Sequence, residues 1–203
     1  MRMAKSRCRS QPLGSMAWGM QIIAPVLLSP EQYAQCEHHK QMVRPTNCPN
    51  CQQAKSLKAL GYYRRYVSLL VAKVLQIWVR RFWCRHCEIT VSCLPDFAQP
   101  YRVVNNQTIE AGFGGEDRPD VQRWIGLLRN YWRRLEGHWP RLRSHVGAAF
   151  GRCAPEATAR QFWERLLRAC GSLNTATRQL VHDFRITLFA TYQCHQPKNY
   201  QAR

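Results

Sequence analysis

Cys48-Pro-Asn-Cys51 and Cys84-Arg-His-Cys87 are two Cys-x2-Cys turns separated by 32 residues. A turn of this length aims two sulfurs at one point in space. Two such turns supply four thiolates, the tetrahedral set that Zn²⁺ takes in structural sites. The chemistry predicted is one structural Zn²⁺ held by Cys48, Cys51, Cys84 and Cys87. Four thiolates leave no open position for water or substrate, so such a site is a staple and not a reaction centre. His86 lies inside the second turn and is the alternative fourth ligand. Cys36, His38 and His39 offer ligand types for a second site, although the paired turns already complete a four-ligand set.

Catalytic constellations are not expected. The acids after residue 104 are Glu110, Glu116, Asp117, Asp120, Glu136, Glu156, Glu164 and Asp183. A three-carboxylate, two-metal centre for phosphoryl transfer needs a scaffold that converges its acids, and no strand pattern follows that point. Several of these acids sit at helix starts, where a cap or a dipole partner explains them. No glycine-rich phosphate loop and no nucleophile–base pair stands out, and a non-catalytic function is expected.

The charge points to a partner. Thirty Lys+Arg against 12 Asp+Glu give +18 and a pI near 10.1, and 24 of the 30 are arginine. Arginine forks match phosphates bidentately and read guanine edges. A surplus of this size implies a polyanion; the plainer alternative is a GC-rich genome that enriches arginine without function. No run approaches the ~20 apolar residues of a membrane span. Four of the ten cysteines sit at metal spacing, which favours a reducing compartment. The other six (Cys8, Cys36, Cys93, Cys153, Cys170 and Cys194) are expected to be free and mostly buried. A cytoplasmic, nucleoid-associated protein fits these features.

The elements that must position the cysteines are strands. Tyr63 to Val71 and Leu75 to Trp83 are rich in β-branched and aromatic residues and predict a hairpin between the turns. Ile77, Val79, Arg81 and Trp83 fall on one face; Gln76, Trp78, Arg80 and Phe82 fall on the other. A helix over Val67 to Trp78 is the alternative. Glu88 to Cys93 predicts a third strand, and Gln21 to Leu28 an edge strand or extended segment containing Pro25. Ser29, Pro30 and Gln32 predict a capped short helix. Residues 1–20 are expected to be a disordered or mis-annotated extension, with translation starting at Met16 or Met20.

The run from Cys48 to Tyr101 resembles the zinc-ribbon domain of bacterial insertion-sequence and transposase-associated proteins. The residues that carry the resemblance are Cys48-x2-Cys51, Gly61-Tyr-Tyr-Arg-Arg65, Arg80-Arg-Phe-Trp-Cys-Arg85-x-Cys87-x2-Thr90 and Ser92-x-Leu94-Pro95-x-Phe97-x2-Pro100-Tyr101. The family often has Gly after the last cysteine of the second turn; Glu88 stands there. The resemblance implies a helix-turn-helix after the ribbon, DNA binding linked to transposition, and a separately encoded transposase as a further partner. A transposase fragment without its catalytic domain, or an RNA- or protein-binding ribbon, are the other readings.

The remainder reads as helix. A short helix from Asn105 to Ala111 ends at Gly112, and Gly112 to Asp117 reads as a flexible break. Asp117 then caps a helix whose Val121, Trp124, Ile125, Leu128, Trp132 and Leu135 form an apolar stripe. Pro119 to Arg134 is the candidate recognition helix. Further helices are predicted over 140–150, 155–170 (stopped by Gly171) and 175–192. The fold class expected is α+β: a small four-cysteine zinc ribbon, with a hairpin plus third strand, over 21–103. An all-helical region of helix-turn-helix character covers 104–193, and 194–203 is a tail. The candidate nucleic-acid contacts are Arg64, Arg65, Arg80, Arg81 and Arg85 in the ribbon and Arg118, Arg123, Arg129, Arg133 and Arg134 in the helices.

Overall fold

The computed structural model describes residues 19–69, 73–147, 149–150 and 158–190. The chain is mixed α+β. Its elements are β1 (Gly19–Ala24), α1 (Pro30–Gln35), a 3₁₀ turn (His38–Lys40), β2 (Leu57–Ser68), β3 (Val74–Cys84) and β4 (Thr90–Pro95), then α2 (Asn106–Gly114), α3 (Pro119–Val146), α4 (Ala159–Cys170) and α5 (Leu173–Asp183). The strands form one sheet in the order β1-β4-β3-β2.

The predicted hairpin is β2–β3. It is antiparallel, with Arg64 opposite Trp78, Tyr66 opposite Gln76 and Tyr62 opposite Arg80. The register shifts once, between Ala59 and Gly61, and Gly61 takes φ 117°, a conformation that favours glycine. The two faces separate as alternation requires over the outer part of the hairpin, where Val67, Ile77 and Val79 are buried and Tyr66, Val74 and Trp78 are exposed; toward the cysteine turns Phe82, on the Trp78 face, is buried as well. β4 adds antiparallel to β3, and β1 adds parallel to β4. β1 starts two residues before the expected boundary: Gly19 and Met20 belong to it, and Met20 is buried. The expectation for residues 1–18 lies outside the described residues.

Local signals placed several helix starts correctly. Ser29 and Gln32 form the capping box of α1. Asn105 caps α2 by accepting from the Thr108 N–H at 2.8 Å. Asn105 also donates from Nδ2 to the Ser68 carbonyl at 2.7 Å, which ties the end of β2 to the start of α2.

Other expectations are corrected. α2 continues through Gly112 to Gly114 and ends on Gly115, which is left-handed at φ 82°. Gly112 is not a break but a close approach: a Cβ there would lie 2.6 Å from Leu128 Cδ1. α3 does not start on an Asp117 cap; Arg118 holds that position without a side-chain cap. Nor does α3 stop near Arg134. It runs 28 residues with Pro140 inside it, because Leu128, Tyr131, Leu135, Leu142 and Val146 stay buried on one continuous stripe. The separate helix predicted over 140–150 is therefore the second half of α3 and a turn after it. α4 begins at Ala159 on a Thr158 cap, and Gly171 ends it in the left-handed conformation as expected. α5 ends at Asp183, short of Tyr192. Arg185 turns left-handed at φ 53°, and Ile186 N–H donates to Leu180 O at 3.0 Å, so Leu188 reaches the core by a turn and not by helical repetition.

Two apolar cores result, one under the sheet and one among the helices. They are stitched together at α5. Val181 packs into the sheet core, and a His182 ring nitrogen lies 2.8 Å from Ile23 O. Gln99 Nε2 donates to Thr177 Oγ1 at 2.6 Å, and Asn106 Nδ2 donates to Asn174 Oδ1 at 2.9 Å. Among the described residues, no helix is long and apolar enough to cross a membrane.

Candidate metal centre and basic surface

The hairpin brings the two Cys-x2-Cys turns together. Leu57 pairs with Cys84 at its base, so Cys84 closes β3 while the first turn precedes β2. Cys48 Sγ lies 3.6 Å from Cys87 Sγ and Cys51 Sγ lies 3.7 Å from Cys84 Sγ. All four ligand atoms fall within 4.8 Å of one another. Cys48 and Cys84 are fully buried. The four cysteines could hold one metal ion, and among the described residues no other group of His, Cys, Asp and Glu side chains clusters in this way. His86 is not part of the set.

The two turns are built alike. Gln52 N–H donates to Cys48 O at 2.9 Å, and Glu88 N–H donates to Cys84 O at 3.0 Å. Cys48 N–H reaches Gln53 O and Cys84 N–H reaches Ile89 O. Each turn ends on a left-handed residue directly after its second cysteine, Gln52 at φ 59° and Glu88 at φ 58°. Burial pushes the Cys48 and Cys51 thiols up, against backbone N–H groups that face their sulfurs. At Cys84 burial acts the same way, but hydrogen bonds from Ser56 and from the Cys87 and His86 backbone outweigh it and bring the thiol down to about 6. Ser56 Oγ lies 3.2 Å from Cys84 Sγ and 2.9 Å from Gln53 O, so its one hydroxyl proton turns either to the sulfur, when Cys84 is a thiolate, or to the carbonyl that links the turns.

The departure at Glu88 has a measurable consequence. A non-glycine residue in the left-handed region costs about 1–2 kcal/mol, partly offset by the entropy that glycine loses on folding. Glu88→Gly is expected to raise the melting temperature by about 2–4 °C for a net gain of about 1 kcal/mol, read by differential scanning calorimetry. A lower melting temperature would show that the Glu88 side chain holds the turn.

Cys36, His38 and His39, the alternative second group, do not cluster as ligands among the described residues. Cys36 is exposed, and the His38 ring packs on Tyr33 with centroids 5.5 Å apart. His39 is buried edge-on to Tyr62, 4.9 Å between centroids, with Trp78 at 6.2 Å. Its role is to support the hairpin. Of the other free cysteines, Cys93 is buried and Cys170 half-buried; Cys8, Cys153 and Cys194 lie outside the described residues.

The ten candidate arginines divide into kinds. Arg64 is exposed, with its guanidinium over the Trp78 ring at 4.8 Å. Arg80 lies over Tyr62 at 4.8 Å and donates to its hydroxyl, and Arg81 lies over Tyr63 at 5.7 Å. Arg65 is different. Its side chain turns inward and donates to the carbonyls of Gln99 and Arg102, and burial lowers its pKa. Arg85 is exposed within the second turn. On the helices, Arg118 donates to both carboxylate oxygens of the buried Asp120 at 3.0 Å and pairs with Glu116. Thr108 donates to the same carboxylate at 2.6 Å, so Arg118 belongs to the latch between α2 and α3. Arg123, Arg129, Arg133 and Arg134 are exposed, Arg123 over Trp124 at 5.6 Å.

Sequence reading missed Arg102 and Arg160. Arg102 donates to Tyr101 O and Phe189 O and lies over Tyr131. Arg160, from α4, donates to Phe113 O and lies over Trp132 at 5.8 Å, beside Arg129 and Arg133 at a cleft of about 510 Å³. No local signal could have found this grouping, because its members come from three helices.

Comparison with known proteins adds one finding. Residues 48–124 match the family model described as Domain of unknown function (DUF6431). The match begins on the first cysteine of the tetrad, spans the hairpin, β4 and α2, and ends in the first turns of α3. No curated protein and no solved structure matches.

Proposed function

We propose that this chain is a zinc-dependent, non-catalytic DNA-binding protein associated with a transposable element. The observation that carries the reading is the cysteine tetrad at the base of an arginine-bearing hairpin. A Zn–S bond of about 2.3 Å sets tetrahedral sulfur–sulfur edges of about 3.8 Å; two of the separations are 3.6 and 3.7 Å, and all lie within 4.8 Å. Zn²⁺ prefers such an all-thiolate set. On this reading the hairpin and its turns are a zinc ribbon. α2, the connection 115–118 and the start of α3 are the helix-turn-helix, with the Gly112–Leu128 contact as the helix crossing and the Thr108–Asp120–Arg118 latch holding the turn. Arg129, Arg133 and Arg134 then face a nucleic acid from α3, and Arg64 and Arg85 from the ribbon. The association with transposition rests on the resemblance of Cys48 to Tyr101 alone.

The test is selection of bound sequences from random duplex DNA at fixed salt, followed by salt titration of the selected site. A protein that neutralises phosphates loses affinity linearly with the logarithm of salt, by about 0.9 of slope per contact. Arg129→Ala and Arg133→Ala are each expected to flatten the slope by about one unit. Arg118→Ala, whose guanidinium is held by two acids, is expected to leave the slope unchanged. Failure to enrich any duplex, with no measurable affinity at low salt, would overturn the reading.

A further inference from the structure

We infer that the outer face of the β2–β3 hairpin is a stacking platform for unpaired nucleotides, so that the nucleic acid this chain binds includes a single-stranded segment. This rests on the nucleic-acid reading above and goes beyond it in naming the state of the strand.

The face is formed by Tyr62, Arg64 and Tyr66 on β2 and Gln76, Trp78 and Arg80 on β3, which the register sets side by side. Tyr66 is 59% exposed and Trp78 39% exposed, although both belong to a sheet whose opposite face is buried. Nothing among the described residues covers the outer end of this face, while His39 packs against Tyr62 and Trp78 at its inner end. Large exposed aromatics on a sheet face mark a contact surface. The occupant is indicated by charge. Arg64 sits over Trp78 and Arg80 over Tyr62, each at 4.8 Å, no carboxylate pairs with either among the described residues, and the chain carries +18. A protein partner would have to supply matching anions at the right places; a phosphodiester strand brings one with every base.

Geometry selects the unpaired strand. Bases inside a duplex present only edges in the grooves, and a flat sheet cannot reach their faces. Unstacked bases present both faces, and aromatic side chains and guanidinium planes take them. Side chains two residues apart on a strand are about 6.7 Å apart, roughly twice the 3.4 Å spacing of stacked bases. The platform therefore fits splayed nucleotides. The exposed amide of Gln76, opposite Tyr66, adds a donor and an acceptor for a base edge.

The experiment uses the full, zinc-loaded chain. A fluorescent oligodeoxythymidine of about 16 nucleotides and a duplex of equal length are titrated by anisotropy with wild type, Tyr66→Ala, Tyr66→Phe and Trp78→Phe. Tyr66→Ala is expected to weaken single-strand binding by about tenfold and duplex binding by less than about twofold, with Tyr66→Phe and Trp78→Phe close to wild type. Equal losses on both probes, or no loss on the single strand, would overturn the inference. So would a change in sedimentation of Tyr66→Ala without a change in binding, which would make the face a contact between copies. Duplex binding that persists with an unresponsive Tyr66 sinks this inference alone. Single-strand binding without duplex binding sinks the duplex reading and keeps this one.

Discussion

Serine in place of Cys84 is expected to abolish metal binding and to unfold the sheet. Structural zinc supplies folding free energy directly, with apparent values of about 10–16 kcal/mol in zinc-finger peptides, comparable to or larger than the whole stability of a typical domain at about 5–15 kcal/mol. Cys84 is both a member of the tetrad and the last residue of β3, paired with Leu57 and bonded through its backbone to Ile89. Losing it releases the ion and the strand end together. The same outcome is expected for Cys48, Cys51 and Cys87, and for the wild type after chelation. Elemental analysis should give one zinc per wild-type chain and little in the variant, with loss of dispersed amide resonances from residues of β2, β3 and β4. Cys93→Ser is the control. Cys93 is buried, and burial pushes its thiol up to about 12, yet it stands outside the tetrad and its variant should keep the metal. A wild type with far less than one metal per chain, melting together with Cys84→Ser, would remove the metal from the account.

Arg65→Ala is expected to lower stability by about 2–4 kcal/mol, a fall of about 5–10 °C in melting temperature, while leaving the salt dependence of the proposed DNA binding unchanged. The reason is its position. Arg65 reaches from β2 to the carbonyls of Gln99 and Arg102, in the loop that leads from β4 to α2. Removing the guanidinium leaves the Arg102 carbonyl without its donor, leaves Gln99 O with the Arg102 N–H alone, and takes away the packing of its stem. Arg64→Ala, one residue away and exposed, should do the reverse, with stability kept and binding weakened. Calorimetry and salt titration of the two variants separate the roles. If Arg65→Ala melts like wild type and flattens the slope, Arg65 is a phosphate contact as its sequence context suggested.

These two arginines mark where sequence reading ends. Alternation along a strand dictates that Arg64 and Arg65 point to opposite faces. It does not say which face another part of the chain will cover. That depends on the loop around Gln99 and on α5, more than thirty residues away in sequence. The same holds for Arg118, which reads as one more cation on a basic helix until Asp120 and Thr108 fold against it.

The parts legible in the residues alone were those fixed within a few positions. The cysteine spacing set the tetrad, the β-branched and aromatic runs set the hairpin and its two faces, and Ser29, Asn105 and Gly171 set helix ends through hydrogen bonds and backbone sterics that act locally. The parts decided only by tertiary packing were those where a local signal was overruled. Pro140 failed to start a helix because the buried stripe on either side kept α3 continuous. Gly112 failed to end one because Leu128 needed the space. The helix predicted over 175–192 stopped at Asp183, because a left-handed turn at Arg185 brings Leu188 to the same core. Caps and turns satisfy backbone groups next to them, whereas burial belongs to whichever distant surface arrives, and a one-dimensional pattern carries no record of that arrival.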